Sequence, residues 1–145
     1  MSEVLTPQQV KVPGTATSKA DAIREAGALL VVAGAVTEDY IDAMFQREES
    51  VSTYMGNYLA IPHGTLDTRD TILHSGISVV RYDTPIDWDG NEVRFVLGIA
   101  GANNTHLDIL SKVAIVFSDL DQVEQLRAAP TGQAVFDILS AVNTD

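Results

Sequence analysis

Residues 93–100 read Val-Arg-Phe-Val-Leu-Gly-Ile-Ala, an apolar run of strand length broken by a single charge. A strand that is hydrophobic at successive rather than alternate positions must be covered on both faces, so the run predicts the centre of a sheet with helices above and below. The chain supplies the other pieces. Residues 77–82 (Ile-Ser-Val-Val-Arg-Tyr) form a second strand-like run, separated from the first by the acidic stretch 83–92, which reads as a turn. Within that stretch Asp87-Trp88-Asp89-Gly90-Asn91 has hairpin-turn chemistry. The short run Tyr58-Leu59-Ala60-Ile61 and the alternating segment Gln8-Gln9-Val10-Lys11-Val12, closed by Pro13-Gly14, are further strands.

Helical signals lie between them. Ser18 followed by Asp21 resembles a capping box, and Ala22, Ile23, Ala26, Leu29, Leu30 and Ala33 recur on one face until Gly34. Thr37 is expected to cap a second helix with Tyr40, Ile41, Met44 and Phe45 inward, running out at Arg47-Glu48-Glu49-Ser50. Residues 52–57 (Ser-Thr-Tyr-Met-Gly-Asn) read as a polar loop. A turn at Gly101-Ala102-Asn103-Asn104 leads into a helix that begins near 104–106 and buries Leu107, Leu110, Val113, Ala114 and Phe117. Two shorter helices follow, one over 121–128 and one capped by Thr131 with Val135, Phe136, Leu139 and Val142 inward. Strands interspersed with helices give an α/β sandwich, and 145 residues without a repeat or linker give one domain over 1–145.

Several function classes drop out. No stretch approaches the roughly 20 apolar residues needed to span a bilayer, and Met1-Ser2-Glu3-Val4-Leu5-Thr6 lacks the plan of a secretory signal, so a cytoplasmic protein with no membrane insertion is expected. Twenty acidic against 9 basic residues leave a formal charge of -11, which disfavours nucleic acid and anionic lipid and would steer in a basic protein partner. The absence of cysteine removes disulfides, thiolate metal sites and thiol nucleophiles.

Covalent chemistry near neutral pH then points to imidazole, which can be both a neutral nucleophile and a proton donor. Of the three histidines, His63 lies just past a strand end between Pro62, which holds its neighbour extended, and Gly64, which leaves room beside the ring. This suggests a ring presented to a partner, although a Pro-His-Gly tripeptide by itself is more readily turn chemistry than a site. His106 opens a helix that follows a strand, where free N–H groups and the helix dipole favour an anion. Ends of strands in open α/β sheets are common site positions, so the two histidines could meet. Read from the residues alone, such a pair could equally be the acid and base of a hydrolase or hold a metal, and either residue could be an ordinary surface or capping group. His74 has no comparable setting. Arg47 and Glu48 read as a solvated helix end. The acidic residues Asp83, Asp87, Asp89 and Glu92 lack the ligand order of a calcium loop.

In combination, Arg47-Glu48, Ser52-Thr53-Tyr54-Met55-Gly56-Asn57, Leu59-Ala60-Ile61-Pro62-His63-Gly64-Thr65, Gly98-Ile99-Ala100 and Asn103-Asn104-Thr105-His106-Leu107 resemble the mannitol/fructose class of enzyme IIA. These are phosphocarrier domains of the bacterial sugar phosphotransferase system. The resemblance spans nearly the whole chain, and its Asn-Asn-Thr-His segment is most like the mannitol branch; the fructose and nitrogen-regulatory branches share the Pro-His-Gly region. It implies a mixed five-stranded sheet flanked by helices. It implies that His63 is phosphorylated by the histidine-containing phosphocarrier protein and passes the group to a cysteine of enzyme IIB. His106 would help hold the phosphoryl group, Arg47 would be an active-site arginine, and no cofactor or metal is called for. Tyr54, Met55, Tyr58 and Trp88 are candidates for the partner surface, each with ordinary packing as its alternative.

Overall fold

The computed structural model describes residues 4–64, 71–101 and 106–140, except for the side chains of residues 106 and 107. Thr65, the turn residues 102–105 and Val142 therefore lie outside the described residues, as does the inward placement expected of Leu107.

Five strands form one mixed sheet in the order β1 (Val10–Lys11), β4 (Gly76–Trp88), β5 (Asn91–Ala100), β3 (Leu59–Ala60) and β2 (Tyr54–Gly56). β1 pairs parallel with β4 and β3 parallel with β5, whereas β4–β5 and β2–β3 are antiparallel. The apolar run at 93–100 is thus the central strand. Its alternation divides two cores: Phe95, Leu97 and Ile99 face one cluster, Val96 and Ala100 the other. The first cluster is closed by α3 (His106–Ser118), α4 (Leu120–Ala128) and α5 (Gly132–Leu139), through Val113, Phe117, Leu126 and Val135. The second is closed by α1 (Lys19–Val32) and α2 (Asp39–Ser50), through Ile23, Ala26, Leu30, Tyr40 and Met44. Each buried Val, Leu, Ile, Phe or Met side chain among these stabilises the fold by about 1.5–3 kcal/mol. Gly98 sits where α1 crosses: a Cβ there would lie 2.6 Å from Ser78 Oγ and 3.3 Å from Ala26 Cβ.

Two predicted caps form. Ser18 Oγ accepts from Asp21 N at 3.2 Å to start α1, and Thr131 Oγ1 accepts from Ala134 N at 3.1 Å to start α5. Thr37 does not act as expected. Its carbonyl receives Tyr40 N, but its hydroxyl is buried without a partner among the described residues, and the residue flanking α2 is Glu38. The reason lies in the tertiary fold: Thr37 N donates to Thr71 O at 2.8 Å, which fixes the backbone in a bridge to that segment rather than in a cap.

Three other segments differ from expectation. Residues 7–9 form a single 3-10 turn led by Pro7, so β1 keeps only two residues. The Gln9 amide turns inward instead, donating to Val4 O at 2.9 Å and Ile77 O at 2.6 Å. The expected loop at 52–57 contains edge strand β2, which returns to β3 through Asn57 and Tyr58 with φ of 51° and 69°. Positive φ is costly for tyrosine, but Tyr58 O accepts from Arg94 N and Phe95 N, and its ring lies under Arg127 at 5.0 Å. Finally, the acidic stretch 83–92 is mostly strand. β4 and β5 continue past an irregularity between Arg81 and Ile86, and only Asp89 and Gly90, with φ of 55° and 93°, make the turn.

Candidate functional site

β3 and β5 run parallel, and the chain leaving β3 stays bonded to its neighbours. Ile61 N donates to Thr53 O at 3.1 Å, Ile99 N donates to Pro62 O at 3.1 Å, and His63 bridges to Ile99. His63 is therefore held at the carboxyl end of two parallel strands, the position expected of a site in an α/β sheet. Its ring is less displayed than Pro62 and Gly64 suggested, since the residue is 8% exposed. The Pro62–Ile99 bond draws the segment into the sheet instead of letting it stand off as a turn.

The His63 Nδ1 atom is 2.8 Å from Ile61 O. A carbonyl oxygen can only accept, so this contact requires the proton on Nδ1, and in the neutral ring Nε2 is the unprotonated, nucleophilic nitrogen. Two further groups brace the same segment. The Tyr40 hydroxyl donates to Ile99 O at 2.6 Å and accepts from Gly64 N at 2.8 Å, joining the residue after His63 to the residue bridged to it. Burial pushes the Tyr40 hydroxyl up to about 12, with the Gly64 N–H acting the other way, so it remains a donor over ordinary pH.

On the other side, the Glu48 carboxylate accepts from Thr53 N at 2.8 Å, Thr53 Oγ1 at 2.5 Å and Trp88 Nε1 at 3.1 Å, with Lys19 Nζ at 3.3 Å. Glu48 is 7% exposed, which corrects its reading as a solvated helix end. Because Thr53 O receives Ile61 N and Ile61 O receives His63 Nδ1, a chain of contacts runs from Glu48 to the imidazole. Neither Tyr40 nor Glu48 was singled out from sequence as part of a site. Tyr40 is indistinguishable there from any inward aromatic. Glu48 did carry one signal: an acid in the last turn of a helix opposes the helix dipole and needs another reason to be there.

Arg47 is half-buried, and its Nη1 donates to Val51 O at 2.8 Å, closing the end of α2. That bond matches its reading as a helix-end arginine, and it does not hydrogen-bond His63. His106 is the first residue of α3, as expected; its side chain, and hence its approach to His63, lies outside the described residues. His74 is exposed, its Nδ1 3.0 Å from Ser75 O. Of the surface candidates, Met55 is 53% exposed, Tyr54 and Tyr58 pack partly against the two cores, and Trp88 is 0% exposed under the Lys19 ammonium, a core residue. In the acidic hairpin, Asp87 accepts from Gly90 N and Asp89 pairs with Lys19. Among the described residues no group of three or more His, Cys, Asp or Glu side chains is arranged to hold a metal ion, and no helix is long and apolar enough to cross a membrane.

Comparison with known proteins gives one family. Residues 3–142 match the family described as the phosphoenolpyruvate-dependent sugar phosphotransferase system, EIIA 2. The chain is 51% identical over 140 residues to the mannitol-specific phosphotransferase enzyme IIA component of Halalkalibacterium halodurans, covering 97% of each chain. In structure it resembles the crystal structure of IIA mannitol from Escherichia coli, with a TM-score of 0.86 at 30% identity over 93% of this chain and 98% of that one. The IIA chain in the solution complex of Escherichia coli IIAMtl with phosphorylated IIBMtl is equally similar, with a TM-score of 0.86 at 30% identity, covering 94% of this chain and 96% of that one.

Proposed function

Because this chain belongs to the EIIA 2 family of the phosphoenolpyruvate-dependent sugar phosphotransferase system, we propose that it is a mannitol phosphocarrier whose relay station is His63. The observation that carries the reading is the Nδ1 contact with Ile61 O, which selects the tautomer whose nucleophilic nitrogen is Nε2, at the carboxyl end of β3 and β5. In the first transfer the Nε2 lone pair forms a P–N bond as the P–N bond to the histidine of the phosphocarrier protein breaks. In the second, a cysteine thiolate of enzyme IIB forms a P–S bond as the bond to Nε2 breaks, and His63 returns to its neutral form. Both steps pass through a loose transition state, so the protein's task is alignment and spreading of charge.

The ring carries positive charge while phosphorylated, and the Ile61 carbonyl facing Nδ1 favours that state without gripping the phosphoryl oxygens. Arg47 and His106 are assigned to those oxygens: the arginine sits at the end of α2, and His106 opens α3, a helix N-terminus whose dipole favours an anion. The grip has to be modest, since a phosphoryl group held too tightly would not leave. Mannitol as the sugar, and enzyme IIB as the acceptor, rest on the mannitol-specific relatives and on the IIAMtl–IIBMtl complex. The chain works as one domain in the cytoplasm, with the histidine-containing phosphocarrier protein as its donor.

Incubation with phosphoenolpyruvate, enzyme I and the phosphocarrier protein should label the chain with acid-labile, base-stable phosphate. His63→Ala should remove the label; retention of full labelling in that variant sinks the assignment.

A further inference from the structure

We infer that Tyr40 is the positioning residue that fixes the His63 segment for transfer, through a hydroxyl that staples Gly64 to Ile99. This rests on the phosphocarrier reading above. The hydroxyl makes two bonds of opposite sense: it donates to Ile99 O at 2.6 Å and accepts from Gly64 N at 2.8 Å. Ile99 in turn donates its own N–H to Pro62 O at 3.1 Å and is the residue to which His63 is bridged. Pro62, His63 and Gly64 are thereby tied on both sides of the imidazole to one residue of the central strand. One side is tied by backbone, the other by a side chain arriving from α2.

The arrangement has little slack. Tyr40 is 1% exposed, so water does not compete for its hydroxyl, and its ring is locked in the core between α1, α2 and the sheet. Without the hydroxyl, Gly64 N–H loses its acceptor, and Gly64 has no side chain with which to rebuild the contact. The segment after His63 would then lose its side-chain tie to Ile99, and the ring gains freedom to pivot about the bond from Nδ1 to Ile61 O. In-line phosphoryl transfer tolerates little of this, since a displacement of about 1 Å can cost about 100-fold in rate.

Tyr40→Phe keeps the ring and removes only the staple. Tyr82→Phe is the matched control: its hydroxyl donates to the Glu25 carboxylate at 2.5 Å and, among the described residues, makes no hydrogen bond to the His63 segment. With the phosphocarrier protein as donor, Tyr40→Phe should lower the limiting rate of His63 phosphorylation about tenfold with KM for the donor within about twofold, whereas Tyr82→Phe should leave both unchanged. In the unphosphorylated protein, Tyr40→Phe should also speed exchange of the Gly64 amide hydrogen and shift the His63 imidazole nitrogen signals. A rate within twofold of wild type, an equal slowing in Tyr82→Phe, or unchanged Gly64 exchange each overturns the role of Tyr40. If wild-type protein takes up no phosphate at His63, the phosphocarrier reading fails instead, and Gly64 exchange with the His63 signals still decides whether the staple holds the ring.

Discussion

His63 Nδ1 and the carbonyl oxygen of Ile61 lie 2.8 Å apart, a contact closed within two residues of chain. It makes Nδ1 the protonated nitrogen of the neutral imidazole and Nε2 the unprotonated, nucleophilic one. Nitrogen-15 NMR of the resting protein should show a protonated Nδ1 and an unprotonated Nε2 for neutral His63. After phosphorylation, the phosphorus coupling should be to Nε2. A signal from 1-phosphohistidine, with phosphate on Nδ1, would contradict the geometry.

Arg47 provides a test that separates structure from transfer. Among the described residues its side chain makes one hydrogen bond, to a carbonyl at the helix end, so Arg47→Ala should change the unfolding free energy by about 1 kcal/mol or less. The rate of phosphoryl transfer to enzyme IIB should nevertheless fall about 100-fold, with partial recovery in Arg47→Lys, as expected when charge is kept and the planar fork is lost. Stopped-flow quench measurements decide it, and a wild-type rate in Arg47→Ala would remove the residue from the site.

Glu48 should matter first for stability. Removing its carboxylate leaves the Thr53 N–H and hydroxyl and the Trp88 N–H without an acceptor and deprives Lys19 of one partner. Glu48→Ala is expected to cost about 3 kcal/mol in urea denaturation, and Glu48→Gln clearly less because an amide oxygen can still accept. A loss below about 1 kcal/mol for the alanine variant would show that the network is dispensable.

Glu25 sets an acid limit on the fold. Burial alone would raise its carboxyl, but bonds from Lys11, Tyr82 and Thr15 outweigh burial and hold it from an ordinary 4.5 down to about 2. A depressed carboxylate contributes stability that is present above its unfolded value and lost as pH falls towards its folded one. Stability should therefore drop between about pH 4.5 and 2, by about 2 kcal/mol from this group, and Glu25→Gln should flatten that part of the profile. Urea midpoints measured from pH 6 to 2 would test this; identical slopes for the two proteins would refute it.

The sequence by itself determined the layered architecture, because the signals for it are local. A nearly continuous apolar run from 93 to 100 has one stable placement, between two helical layers, and Ser18 and Thr131 mark helix starts through bonds spanning three residues. It also brought His63 forward, since Pro-His-Gly past a strand and a chain without cysteine leave few other nucleophiles. Only the tertiary structure decided how that histidine is held. Tyr40 meets Ile99 across 59 residues and Trp88 meets Glu48 across 40, and no periodicity or capping rule encodes a hydrogen bond at such separation. The same holds for Thr37, whose capping pattern was overridden by a backbone bond to Thr71, and for β2, an edge strand made from a polar segment because β3 offered it a partner. Local pattern fixes which face of an element is buried; which polar groups meet at the end of the sheet is settled only when the elements pack.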